Sequence, residues 1–309
     1  MLGSGRPVAK TLGRRSRSER RGRKPAESFS SETRGVLLVA AAALLWSTGG
    51  IGIKALEDPP LKVAFFRSAF AAVALIALLR PRPGRLSATF WTAVVSYAAC
   101  LTTFVVATKT TTAANAIFLQ YSGVVWVLLL SPVVLKEPLR ARDVVAVSLS
   151  LCGMALFFVG KFGSGKAGDL VALASGIFFA VLVLSLRHER EKGAEAAVTY
   201  GNVLAAALLF PFVRDNLALS GRSTAILLFL GLFQLAGAYT LFVRGLRHVT
   251  ATQATLVSML EPVTNPVWVF LFLGERPSPF AALGGAIVLG AIAWRSLAAA
   301  PVTALAPPD

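Results

Sequence analysis

The 309-residue chain is poor in charge, and poorest in acid: 15 Asp and Glu stand against 31 Lys and Arg. Charged residues make up 15 % of it and hydrophobic ones 55 %, with a mean hydropathy of +0.68. A soluble domain carries about 25 % charge, so an ordinary water-soluble globule is excluded. A disordered chain is excluded too, because Leu, Val, Phe and Ala are abundant. Cys100 and Cys152 are the only cysteines. Both lie in apolar runs and read as small core residues, neither a disulfide framework nor a metal pair. The two histidines, His188 and His248, fall in loops and no H-E-x-x-H occurs, which leaves no basis for a metal site, a cofactor or His-dependent catalysis. "GKFGSGKA" at 160–167 matches G-x-x-x-x-G-K, but Ala167 stands where a phosphate loop needs Ser or Thr, and no strand precedes it.

What the chain does have is long apolar runs. A bilayer core about 30 Å thick needs roughly 20 apolar helical residues. Ten such runs lie near 36–55, 62–79, 87–107, 112–135, 143–160, 169–187, 196–213, 223–243, 250–273 and 279–298. Charged turns rich in Pro and Gly separate them, such as "EDPP" at 57–60 and "RPRPGR" at 80–85. The runs are too long for barrel strands and do not alternate. The expected fold is an all-α membrane protein of ten transmembrane helices.

The basic excess follows the same plan. With the N-terminus inside and all ten runs crossing, inner segments hold 22 Lys and Arg and outer loops 8; without the tail the balance is still 12 to 8. The expected orientation is N-in and C-in, which removes the case for a nucleic-acid partner. Ten of the basic residues crowd into positions 1–34. That segment is expected to be a disordered cytoplasmic arm drawn to anionic lipid. An Arg-rich transit peptide is the alternative. A twin-Arg signal is disfavoured, because no short apolar region follows Arg14 and Arg15.

The chain also repeats itself. Shifted by 138 positions, residues 96–139 lie over 234–277 without a gap, and 10 of 44 positions are identical. The matches include Thr102/Thr240, Phe104/Phe242, Ala116/Ala254 and Glu137/Glu275; nearer the N-terminus, at an offset of about 133, Trp46 aligns with Phe179. Five runs per copy would turn the second copy upside down in the membrane. Inverted repeats of this kind hold a substrate site near the midplane. The expected units are 1–34 (tail), 35–161 (first repeat), 168–298 (second, inverted repeat) and 299–309 (short C-terminal tail).

Glu261 is the one carboxylate in a run interior. A charge at that depth costs about 2.5–3.5 kcal/mol, so it must face a cavity, pair, or take up a proton. Ser258, Glu261, Asn265 and Trp268 share a helical face. Pro262 and Pro266 remove backbone donors, which frees carbonyls near Ser258; a structural kink is the competing explanation. Val124 occupies the position of Pro262 in the first copy, so that copy is expected to lack the break. Gln120 is the polar residue of the equivalent face and could stand opposite Glu261. Arg67 is the one cation in a run interior, the others within runs lying at or near their ends. It could hold a carboxylate substrate, neutralise Glu261 or snorkel; its depth differs from that of Glu261 by about 10 Å, which argues against a direct pair. Trp46, Trp126, Tyr97, Tyr121 and Tyr239 supply aromatic walls, Gln234 is a further cavity candidate, and Trp91 and Trp294 suit the interfacial belt. Asn115 and Gln253 read equally well as hydrogen-bonding glue between helices.

Several motifs together resemble the drug/metabolite transporter superfamily in its EamA-like branch. They are "LLWST" at 44–48, "FFRSAF" at 65–70, the run ending "LLLSPVVLKEPL", and "ATLVSMLEPVTNPVWVFLFLGERPS" at 254–278. The resemblance spans about 35–300. It implies a secondary active transporter, an exporter of small metabolites or amino acids by alternating access, proton coupling included as an option and ATP not required. A passive facilitator or channel is the alternative; a membrane enzyme lacks paired catalytic groups, and a scaffold gives the buried acid no purpose. A small-molecule substrate, a homodimer and a bacterial inner membrane complete the expectations.

Overall fold

The structure, a computed structural model, describes residues 24–82, 86–157, 166–191, 193–273 and 279–297. Most of the basic tail, residues 158–165 with most of the G-x-x-x-x-G-K stretch, Glu275 and the C-terminal tail lie outside them. Among the described residues every regular element is helical. They are α1 (Lys24–Trp46), α2 (Gly49–Lys54), α3 (Pro60–Leu79), α4 (Ala88–Thr110), α5 (Ala113–Gln120), α6 (Gly123–Val134), α7 (Ala141–Phe157) and α8 (Lys166–His188). Then come α9 (Ala194–Val213), α10 (Gly221–Phe229), a π-helical stretch Leu230–Gly237, α11 (Ala238–Gly245), α12 (Ala251–Ser258), α13 (Leu260–Leu273) and α14 (Pro279–Leu297). Helix α1 starts at Lys24, within the stretch read as tail.

Eight helical segments are long and apolar enough to cross a bilayer: 31–54, 60–79, 88–110, 115–134, 167–188, 194–213, 221–245 and 279–296. The runs at 143–160 and 250–273 are helical as α7 and as α12 with α13, but are not among the eight. The helices begin where side chains can hold their free N–H groups. Ser87, Thr112, Ser220 and Thr250 each accept from the amide three residues on, and Pro60 sits in the first turn of α3, where no donor is needed.

The bundle has an apolar outside, and buried polar side chains are set within a largely apolar core. Leu78, Val133 and Phe212 are mostly exposed, whereas Arg67, Asn202 and Gln234 are buried. Helix α1 packs on α11, α12 and α13, and α8 packs on α4, α5 and α6; α3 pairs with α9 and α7 with α14. Each half of the sequence therefore lends its first long helix to the other half.

Sequence and structure differ at residues 121–122. The first copy does break there, without a proline: α5 stops at Gln120 and α6 starts at Gly123. The cause is a neighbour. Helix α8 comes so close that a Cβ on Gly176 would lie 2.7 Å from the Gln120 carbonyl oxygen, and one on Gly123 would lie 2.4 Å from the Gly176 carbonyl. The backbone turns by three-residue hydrogen bonds, Ser122 N to Leu119 O and Val124 N to Tyr121 O. Gly176→Val should lower stability by about 1–3 kcal/mol through overpacking, while Gly221→Ala, where a Cβ meets nothing within 4 Å, should leave it nearly unchanged. Thermal unfolding of the purified protein in detergent checks both.

Candidate functional site

Two interrupted helices meet at the centre. Pro262 has no N–H, so the Ser258 carbonyl one turn before it lacks its helical donor. The Tyr121 hydroxyl, at the break between α5 and α6, lies 2.6 Å from that carbonyl oxygen and 2.9 Å from Glu261 Oε2. Tyr121 and Glu261 are both buried. The break at 121–122 thus satisfies the break at Met259, across 137 residues of sequence.

Around this contact lies a polar cavity of about 30 Å³, lined by Trp46, Arg67, Leu101, Phe104, Gln120, Phe179, Gln234, Leu235, Tyr239 and Glu261. That is room for one or two waters, far below the several hundred Å³ of a ligand pocket. Arg67 comes from α3 and donates through Nη2 to Gln234 Oε1 at 2.6 Å. Gln234 can reach because it lies in the π-helical stretch, and its Nε2 donates to the Trp46 carbonyl at 3.4 Å. Gln120 donates to Ser175 Oγ at 2.8 Å. Tyr239 stacks edge-on between Trp46 (4.9 Å) and Tyr97 (4.7 Å), and Tyr97 OH accepts from Asn202 Nδ2 at 2.9 Å.

Of the candidates read from sequence, Glu261, Gln120, Arg67, Trp46, Tyr239 and Gln234 share this one cavity. Arg67 and Glu261 line it together, yet no ion pair joins them among the described residues. Ser258 offers the cavity's edge its carbonyl; its hydroxyl turns back to Ala254 O. Asn265 approaches Gly50 of α2. Trp268 donates to Ser47 Oγ at 2.7 Å and lines a second, apolar recess of about 440 Å³ with Thr48, Ile51, Gly52, Ala55, Ala225, Ile226 and Phe229. Trp91, Trp126 and Trp294 face outward. Sequence reasoning undervalued Tyr121 and missed Ser175 and Asn202. The offset of 138 carried a signal for Tyr121, because it maps onto Met259, the break residue of the second copy.

Polar ties close both ends of the bundle. At one end Glu137 accepts from Arg187 Nε (2.7 Å) and from the Ala251 amide at the start of α12 (2.9 Å), and Arg187 Nη1 donates to the Leu246 carbonyl. Arg295 holds Asp143 between α14 and α7. At the other end Lys54 donates to the Thr111 carbonyl, and Thr111 donates to Asp169. Nearby, Asp58 pairs with Lys62 (3.0 Å) and accepts from Ser223 Oγ (2.7 Å).

A bundle with an apolar exterior and a polar, enclosed centre defines an integral, multi-pass membrane protein. The chain matches the model of the EamA-like transporter family twice, over residues 33–159 and 166–297, and belongs to that family; it is a transporter, not an enzyme. It is 25 % identical over 266 residues to an uncharacterized transporter of Archaeoglobus fulgidus, covering 84 % of this chain and 96 % of that one. It is 29 % identical over 270 residues to the uncharacterized transporter YwfM of Bacillus subtilis, covering 82 % and 90 %. A solved crystal structure at 19 % identity shares the fold, with a TM-score of 0.76 over 87 % of this chain and 99 % of that one.

Burial pushes the Asp58 carboxyl upward, but the Ser223 hydroxyl and the Lys62 ammonium outweigh it and hold the group below the usual carboxylate range. A folded value below the unfolded one adds stability that is full above about pH 4 and lost as pH falls through the folded value. Asp58→Asn should flatten that acid limb and lower neutral-pH stability by less than about 1 kcal/mol, read from unfolding curves across an acid series.

Proposed function

We propose that the protein is a secondary active transporter that exports small metabolites or amino acids by alternating access, with a proton-binding site at Glu261. One observation carries this reading: the central cavity takes five lining residues from each family-model match, Trp46, Arg67, Leu101, Phe104 and Gln120 from one and Phe179, Gln234, Leu235, Tyr239 and Glu261 from the other. Two of these pairs are related by the sequence repeat, Trp46 with Phe179 and Leu101 with Tyr239. The reading takes the halves as inverted five-helix repeats, 35–161 and 168–298, crossing the membrane ten times with both termini cytoplasmic.

Three further features support it. The helices correspond in kind: α3 and α9 both have 20 residues, and α5 and α12 have 8 each behind a capping threonine. The cavity is too small for a metabolite as it stands, and both ends are tied, as expected of a carrier caught between its open states. Inner and outer ties involve different residues, so one set can release while the other holds. The basic N-terminal segment would lie against anionic lipid of a bacterial inner membrane.

Glu261→Gln should abolish pH-driven flux in proteoliposomes while the variant unfolds at a temperature close to that of the parent. Flux equal to the parent's under the same pH gradient removes Glu261 from the coupling.

A further inference from the structure

Hydrogens can be counted at the centre of the cavity. Tyr121 has one hydroxyl hydrogen and two oxygen neighbours, the Ser258 carbonyl at 2.6 Å and Glu261 Oε2 at 2.9 Å. A carbonyl only accepts, and Pro262 leaves this one without another donor. An ionised Glu261 would compete for that hydrogen, but the shorter contact assigns it to Ser258. The contact with Glu261 then has a hydrogen of its own when the carboxyl supplies it, donating to the Tyr121 oxygen. The closed bundle fits a protonated, neutral Glu261.

Arg67 is left uncompensated by that count. It is 1 % exposed, and among the described residues no carboxylate lies within ion-pair distance of it. Its Nε is buried without a hydrogen-bond partner, and so is Trp46 Nε1. Both residues line the cavity. Two unsatisfied donors, one on a cation, thus belong to residues lining a cavity whose one acidic lining residue is spent on a neutral hydrogen bond. A buried charge without a partner is costly, and an anion relieves it where a cation adds to it.

We infer that the cavity, once opened beyond the space for one or two waters that it has in this closed form, binds a carboxylate-bearing anion together with a proton on Glu261, Arg67 Nε and Trp46 Nε1 donating to the carboxylate. This rests on the transporter reading of the same cavity and names its substrate class. The ionisable groups that face Glu261 are Arg67 on α3, Cys100 on α4, Tyr121, and Tyr239 on α11, with Tyr97 of α4 beside Arg67. Of these Arg67 alone carries charge at neutral pH, so the empty cavity is neutral when Glu261 is ionised, and the loaded one when Glu261 is protonated and an anion is present. Proton and anion therefore bind as a pair.

The test is thermal unfolding of the purified full-length protein with acetate, butyrate and benzoate, each against the amine and the amide of the same skeleton, in mildly acid and mildly alkaline buffer. Carboxylates should raise the unfolding temperature and amines and amides should not. The apparent affinity for a carboxylate should fall about tenfold per pH unit once Glu261 ionises. Arg67→Gln should abolish the shift, and Glu261→Gln, which keeps a donor to Tyr121, should retain it without the pH dependence. Should Arg67→Gln fail to fold, Trp46→Phe must weaken the carboxylate shift. Stabilisation by an amine, no shift with any carboxylate, an equal shift at both pH values in the parent, or a full shift in Arg67→Gln overturns the inference. Counterflow in proteoliposomes reads transport separately. Carboxylate binding without flux leaves the anion site and removes the carrier, and amine flux without carboxylate binding does the reverse.

Discussion

A proline in mid-bundle leaves one carbonyl without a donor, and the centre of the molecule is arranged around that deficit. In lipid an unsatisfied carbonyl cannot turn to water. The Ser258 oxygen is satisfied by Tyr121, which belongs to the other half of the chain. That single requirement holds the two interrupted helices side by side, brings Glu261 against the same hydroxyl, and places the first half's break where α8 can press its backbone on it. A kinked helix alone would need only a local partner. A partner 137 residues away makes the kink a joint between halves.

Hydrophobic burial cannot be what distinguishes this interior, because lipid tails are as apolar as a leucine core. The specificity comes from polar contacts that find no alternative in the bilayer: Arg67 with Gln234, Gln120 with Ser175, Tyr97 with Asn202. Close approach does the rest. Gly176 and Gly123 let α8 reach the broken helix at backbone distance, which side chains of any size would prevent. The ends are tied differently, by largely buried ion pairs and carbonyl contacts such as Arg295 with Asp143 and Arg187 with Glu137.

Much of this was legible in the chain because the membrane leaves a coarse signature. Twenty apolar residues bounded by Pro, Gly and charge read as a span without help from tertiary contacts; each of the ten runs contains helix among the described residues, and eight hold a helix long and apolar enough to cross a bilayer. Glu261 and Arg67 stood out because each is expensive where it sits in its run, and the cavity brings them together with Gln120, Gln234, Trp46 and Tyr239. Hidden from sequence were features set by neighbours. The break at 121–122 has no proline to announce it and follows from α8 packing. The π-helical stretch that lets Gln234 meet Arg67 has no local residue signal. Asn265 and Trp268 share a helical face with Glu261 within α13, but that face extends past the cavity, and they meet Gly50 of α2 and Ser47 instead. Ser258 alone lies across the break at Met259.

The two halves copy one another in geometry but not in chemistry. Both carry an eight-residue helix behind a threonine cap, followed by a break. At the equivalent positions after the break, one has Gly123 and Val124 and the other Glu261 and Pro262. The glycine copy yields to close packing; the glutamate–proline copy creates an orphan carbonyl and sets an acid beside it. The unequal pair has a physical consequence. On the proposed reading, identical inverted halves would make the inward-open and outward-open forms equivalent by a twofold rotation and equal in energy, and a proton would bias neither. With the acid on one half and the hydroxyl that meets it on the other, protonation would change the contact between the halves itself.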